Sequence, residues 1–104
     1  MFGFAKKDRL KVALIADLKK ACEIASHYSG GYSGEFLDAQ EFYQALNRTV
    51  VDFEEGEDDK AKDLWVWFAP TTAWDDFIGM EGAELGNSIF GQLQAFIDNR
   101  GIEI

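Results

Sequence analysis

The sequence predicts an all-α fold, a compact four- to five-helix domain that spans residues 1–104. Apolar residues recur at separations of three and four along most of the chain, which is the spacing of one helix face. Breaks that contain glycine or proline divide these stretches into segments of helical length. A chain of 104 residues that is 47% hydrophobic has the material for one core.

The first helix is predicted from Asp8, a suitable N-cap, to about Tyr28. Its buried face comprises Leu14, Leu18, Ala21, Ala25 and Tyr28. Gly30-Gly31 follows and is expected to end the helix. The three glycines within Ser29–Gly34 make a regular element costly, so this stretch is predicted to be a connecting loop.

A second helix is predicted to begin near Asp38, because Asp38-Ala39-Gln40-Glu41 has the pattern of a capping box. Its buried face comprises Phe42, Ala45, Leu46, Thr49, Val50 and Phe53. The helix is expected to end at Glu54-Glu55-Gly56. A third helix is predicted from about Asp58 to Phe68, with its first carboxylates at the positive end of the helix dipole.

The alternative for Leu64–Phe68 is a buried β-strand, since five consecutive apolar residues do not distinguish strand from helix. That alternative would make the fold α+β. Pro70 ends either element, and Thr72 with Asp75 three residues later predicts a capped short helix through about Gly79. The last helix is predicted from Glu81 to Asn99, and its buried face comprises Leu85, Ile89, Leu93, Phe96 and Ile97.

Charge is the most unusual bulk property of the chain, with a formal net charge of −9. Residues 1–31 carry six basic and three acidic groups, whereas residues 32–59 carry one basic and nine acidic groups. Residues 60–104 carry three basic and seven acidic groups. Such a chain repels phosphates, so neither a nucleic acid nor an anionic membrane surface is expected as a partner, and a basic protein is favoured.

A cytoplasmic location is predicted from cysteine usage and hydropathy. The single cysteine, Cys22, cannot form an internal disulfide, and no metal-ligand spacing accompanies it. The apolar run Val12–Ala16 is too short to cross a bilayer and is not followed by a signal-peptide cleavage site. No signature of a bound cofactor or metal is present.

The candidate partner-binding residues form two groups. The first is an acidic run that places six carboxylates within eight residues: Asp52, Glu54, Glu55, Glu57, Asp58 and Asp59. It lacks the spacing of an EF-hand, so it is interpreted either as a solvated turn or as a docking surface for a basic protein. The second group pairs aromatic rings with carboxylates, a combination typical of interface hot spots: Trp67, Trp74, Asp75 and Asp76. For both tryptophans, packing in the core is the competing interpretation.

No catalytic residue is predicted, and the chain is not expected to be an enzyme. The alternative is a small carboxylate-dependent enzyme that uses Asp75 and Asp76, although neighbouring side chains on a helix diverge by about 100°. A Cys22–His27 nucleophile pair is disfavoured because five residues along a helix turn the two side chains apart. A further alternative is an adaptor or a homo-oligomeric structural protein.

One segment carries a family resemblance. Leu64-Trp65-Val66-Trp67-Phe68-Ala69-Pro70-Thr71-Thr72-Ala73-Trp74-Asp75-Asp76, together with residues 84–90, resembles a family of uncharacterised small bacterial proteins and the broader class of toxin-neutralising immunity proteins. The likeness covers 20 of the 104 residues. It implies a small cytoplasmic inhibitor that occludes the active site of a toxin, which in nuclease toxins is basic. No binding residue is transferred from that class.

Overall fold

The structure is a computed structural model that describes residues 2–34 and 36–103, with side chains described from Arg9 onward. Within those residues it contains five α-helices: α1 (Phe2–Ala25), α2 (Ala39–Glu54), α3 (Ala61–Phe68), α4 (Ala73–Phe77) and α5 (Ala83–Arg100). The all-α prediction is confirmed. The strand alternative for Leu64–Phe68 is wrong, because these residues form most of α3. The described residues contain one isolated β-bridge, between Ser33 and Phe36.

Helix α1 is longer at its N-terminus than predicted. It begins at Phe2, so Asp8 lies inside the helix and is not its N-cap. Ala5-Lys6-Lys7, which precedes Asp8, consists of strong helix formers, and these carry the helix past the expected start. Four residues of the predicted apolar face are buried, namely Leu14, Leu18, Ala21 and Ala25, but the helix ends at Ala25, so the half-buried Tyr28 lies beyond it.

Helix α2 begins as its sequence predicts. The Asp38 carboxylate accepts a hydrogen bond from the Glu41 amide at 2.8 Å. The Glu41 carboxylate accepts from the Leu37 amide at 2.9 Å, one residue before the position used in a standard capping box. The buried face includes Phe42, Leu46, Val50 and Phe53, with Ala45 and Thr49 half-buried. Gly56 (φ 118°) ends the segment.

The connection from α3 to α4 differs from its prediction. Thr72 is the N-cap residue of α4, but its side chain makes no capping bond there. Its hydroxyl lies instead 2.7 Å from the Val66 carbonyl, 3.0 Å from the Trp67 carbonyl and 2.7 Å from the Ala69 carbonyl. Thr72 therefore closes the C-terminus of α3. Asp75 accepts from the Thr71 amide at 2.7 Å, and Thr71 has φ 66°, a conformation that non-glycine residues rarely adopt.

A 3₁₀ turn at Gly79–Gly82 precedes α5, so the helix begins two residues later than predicted. It ends at Arg100, followed by Gly101 in the left-handed conformation (φ 65°). Four of the five residues of its predicted face are buried, namely Ile89, Leu93, Phe96 and Ile97, and Leu85 is half-buried.

The helices surround one core. Helix α1 packs against α2 and α5, and α3 packs against α5. Aromatic pairs connect the elements across this core: Phe53 meets Phe96 edge to face at 5.1 Å, and Phe42 stacks on Phe77 at 5.4 Å. In the described part of the chain, none of the helices combines the length and the apolar character needed to cross a membrane.

Candidate functional site

The fold brings two distant loop segments together at one end of the molecule. Tyr28 donates its hydroxyl proton to Glu81, and Ser33 donates to Asp76. Gly31, at φ 74°, lies so close to the Phe77 ring that an added Cβ would sit 3.3 Å from it. We call this region the acidic end and define it as residues 26–41 and 69–86.

The acidic end contains seven acidic residues and no Lys or Arg. The stretches without Lys or Arg are longer than the end itself, because they cover residues 21–47 and 63–99. Glu35 is one of the seven and lies outside the described residues. The absence of Lys and Arg can be read from the sequence, but it defines one acidic surface only because the fold places the two segments side by side. Counting charges along the chain does not reveal it.

Neutral donors hold five carboxylates of the acidic end. Backbone amides donate to Asp38, Glu41 and Asp75, and the hydroxyls of Tyr28 and Ser33 donate to Glu81 and Asp76, respectively. Among the described residues, no Lys or Arg pairs with any of these five. A neutral donor fixes the direction of a carboxylate without cancelling its charge. The acidic end therefore presents oriented and uncompensated negative charge.

The acidic run lies at the other end, which we call the junction end and define as residues 52–63. Here Asp58 accepts from Lys11 at 2.7 Å and from Arg100 at 2.8 Å, so one carboxylate joins α1 and α5 to the start of α3. Lys11 also lies 4.7 Å from the centre of the Phe53 ring. Glu54 pairs with Lys19 at 2.9 Å. Internal cations thus neutralise part of the acidic run.

The structure separates the two predicted groups of partner-binding residues. The acidic run precedes α3, whereas Trp67 and Asp76 lie at its far end, and eight helical residues between them span about 12 Å. Within the run, Glu54, Glu55, Glu57 and Asp59 are exposed, and Asp52 and Asp58 are half-buried. The two groups therefore lie at opposite ends of α3.

The two candidate tryptophans have different environments. Trp74 is 1% exposed, and its indole NH donates to the Gly82 carbonyl at 2.8 Å. A direct partner contact by Trp74 does not fit this fold, since packing has enclosed the ring. Trp67 is half-buried and meets Phe36 edge to face, with ring centres 5.5 Å apart. Trp67 is thus the accessible member of the pair.

A groove of about 280 Å³ opens at the acidic end between the loop before α2 and the connection from α3 to α4. Its lining comprises Ser33, Gly34, Phe36, Val66, Trp67, Thr71, Thr72, Ala73 and Asp76. That volume falls just below the range of roughly 300–1,000 Å³ found for small-molecule pockets. It matches one or two side chains better than a cofactor.

The two carboxylates of the enzyme alternative do not converge in this groove, whose described lining includes Asp76 but not Asp75. Asp75 and Asp76 accept from different donors, Thr71 and Ser33, so they do not share a proton. No His, Lys or Cys is among the described residues that line the groove. A serine with only a carboxylate beside it has no group placed to activate it in the way a histidine does.

Cys22 and His27 do not form a nucleophile pair. Burial raises the pKa of the Cys22 thiol to about 11, so the thiol stays protonated at neutral pH. The His27 ring lies in solvent and its Nε2 is 3.3 Å from a Glu23 carboxylate oxygen. In the part of the chain that the structure describes, no group of three or more His, Cys, Asp or Glu is arranged to hold a metal ion.

Exposed apolar side chains accompany the charge at the acidic end. Tyr32 is 75% exposed, Leu37 is 78% exposed and Met80 is 92% exposed. Single exposed apolar residues are ordinary, but these three lie within the segments that also carry the uncompensated carboxylates. Aromatic residues and Met are enriched in protein interfaces, where polar groups lie mainly at the rim.

Comparison of the chain with protein-family models, with curated proteins and with solved structures finds no match. The resemblance of residues 64–76 to immunity proteins therefore stays a prediction.

Proposed function

We propose that this chain is a small cytoplasmic binding protein, an immunity-type inhibitor that masks the basic active site of a partner toxin, such as a nuclease, with its acidic end. The observation that supports this most strongly is the contrast between the two ends. Carboxylates at the acidic end are oriented by neutral donors, whereas Asp58 and Glu54 at the junction end have cationic partners. Charge that is not cancelled internally acts on an approaching partner.

The contact surface in this proposal is narrower than the one predicted from the sequence. It retains Trp67, Asp75 and Asp76 and adds Glu81, while Trp74 supports the surface from within the core. The acidic run of the junction end becomes mainly a structural feature. The exposed side chains of Tyr32, Leu37 and Met80 supply apolar area around the charges.

The proposal predicts that charge reversal at the acidic end slows association with the partner, and that the same reversal at the junction end does not. The test variant is Asp75→Lys/Asp76→Lys/Glu81→Lys. The matched control, Glu55→Lys/Glu57→Lys/Asp59→Lys, makes the same change in net charge at exposed positions. We expect the association rate constant to fall roughly 10- to 100-fold for the first variant and less than about 3-fold for the second.

Two sources would supply candidate partners. One is the protein encoded by the adjacent reading frame, and the other is the set of basic proteins that the wild-type chain captures. Rate constants would then be measured at two salt concentrations, with circular dichroism confirming that both variants fold. Steering by charge requires the wild-type rate to fall steeply with added salt. An equal decrease of the association rate constant in both variants, or a decrease confined to the junction-end variant, would contradict the proposal.

A further inference from the structure

The groove at the acidic end has a composition that selects one kind of side chain. We infer that it is a guanidinium pocket, which receives an arginine side chain of the basic partner between Asp76 and Trp67. This inference rests on the proposed function and deepens it, because it names the group that anchors the partner. The occupant follows from charge: every described residue that lines the pocket lies in residues 21–47 or 63–99, which contain no Lys or Arg.

The negative charge of the pocket comes from a carboxylate with a fixed direction. Asp76 lies in the first turn of α4, where its amide donates to the Thr72 carbonyl at 2.9 Å. Its side chain accepts from Ser33, which is only 7% exposed. Ser33 is itself held by two backbone hydrogen bonds with Phe36, at 3.1 and 2.8 Å. An ionised carboxylate has about four acceptor positions, so the bond from Ser33 leaves room for a guanidinium fork.

The C-terminus of α3 adds to the negative potential. The Thr72 hydroxyl lies within hydrogen-bond distance of the Val66 and Trp67 carbonyls of α3 and of the Ala69 carbonyl just after it, but a hydroxyl has only one proton to donate. The carbonyl end of this eight-residue helix therefore keeps acceptor capacity, and a helix C-terminus favours cations. The backbone and Asp76 attract the same class of ligand.

The remaining lining fits the rest of an arginine side chain. Val66 is 46% exposed and offers apolar surface to an aliphatic stem. Trp67 lines the same groove, and indoles attract guanidinium groups through cation–π and stacking contacts. A lysine ammonium lacks the planar fork, so we expect it to bind less well than arginine.

The test uses three short peptides that differ in one side chain: acetyl-Gly-Arg-Gly-amide, the neutral citrulline analogue and the lysine analogue. Each is titrated into the isotopically labelled wild-type chain while amide and indole NMR signals are recorded. For the arginine peptide we expect saturable shifts at Gly34, Ala73 and Asp76, with a Kd on the order of 1 mM. The lysine peptide should bind roughly 3-fold or more weakly, and the citrulline peptide should not saturate.

Two variants locate the binding. Asp76→Asn keeps a side-chain oxygen that can accept from Ser33 but removes the charge, and it should weaken arginine binding at least about 5-fold. Glu57→Gln removes one charge at the junction end and should leave the affinity unchanged. Unshifted signals in the rest of the Asp76→Asn spectrum would show that the fold is intact.

Three results would overturn the pocket: equal shifts with arginine and citrulline, equal affinity for arginine and lysine, or shifts centred on the junction end. This failure is separate from failure of the proposed function. If partner binding depends on the acidic end but the arginine peptide does not bind, only the guanidinium pocket is ruled out. If the arginine peptide binds in the groove but charge reversal at the acidic end leaves partner binding unchanged, only the proposed function is ruled out.

Discussion

Replacing Trp74 with alanine is expected to lower the free energy of unfolding by about 3–5 kcal/mol, the range typical of truncating a buried aromatic side chain. The ring is 1% exposed and contacts Phe68, with ring centres 4.9 Å apart. Its indole NH also satisfies the Gly82 carbonyl, which would lose its partner. Because Trp74 joins α4 to the start of α5, its loss should also loosen the acidic end.

Urea unfolding followed by circular dichroism would measure this effect, and Trp74→Phe provides the control. Phenylalanine keeps most of the buried area but cannot donate to Gly82, so we expect a smaller loss of about 1–2 kcal/mol. Trp65→Ala offers a second comparison, because Trp65 is only half-buried against Phe90. A loss below about 1 kcal/mol for Trp74→Ala would contradict the enclosed position of the ring.

Replacing Gly86 with alanine is expected to destabilise the chain by roughly 1–3 kcal/mol, although alanine normally favours a helix interior by about 0.5–1 kcal/mol over glycine. A Cβ on Gly86 would lie 2.5 Å from Cδ1 and from Nε1 of Trp74. The ring is enclosed and cannot move away without disturbing its hydrogen bond. Steric overlap should therefore make this glycine-to-alanine replacement destabilising, although the same replacement usually stabilises a helix.

Gly91 is the matched control, since it lies in the same helix with nothing within 4 Å of an added Cβ. Gly91→Ala should stabilise by about 0.5–1 kcal/mol, opposite in sign to Gly86→Ala. The double variant Trp74→Ala/Gly86→Ala should cost less than the sum of its parts, because the cavity would accommodate the new methyl group. Strict additivity in denaturant unfolding would rule out contact between the two sites.

The helices were predictable because apolar spacing and capping residues act over a few neighbouring positions. The face of α2 follows from its apolar spacing, and its start follows from Asp38 and Glu41, whose carboxylates accept from amides within residues 37–41. The role of Thr72 was not predictable in the same way. Its position depends on the left-handed conformation of Thr71 and on the carbonyls of α3, which a capping pattern does not encode.

The candidate site was less predictable than the fold because its charges depend on contacts between distant residues. Asp58 belongs to a compact acidic run in the sequence, yet its partners Lys11 and Arg100 are 47 and 42 residues away. The acidic end arises from contacts across 43 residues, between Ser33 and Asp76, and across 53, between Tyr28 and Glu81. Counting charges along the chain therefore indicated the acidic run before α3, whereas the carboxylates used in the proposed function come together only in the fold.

The central claim is that the negative potential is concentrated at the acidic end, and paramagnetic relaxation of amide protons tests it without a partner. Two nitroxide cosolutes of equal size, one cationic and one anionic, would be compared in about 0.1 M salt, where a screening length of about 10 Å resolves the two ends. We predict that the cationic-to-anionic enhancement ratio for residues 29–34 and 72–81 exceeds that for residues 54–60 by roughly threefold or more. Equal ratios at the two ends, or a larger ratio at residues 54–60, would contradict the account.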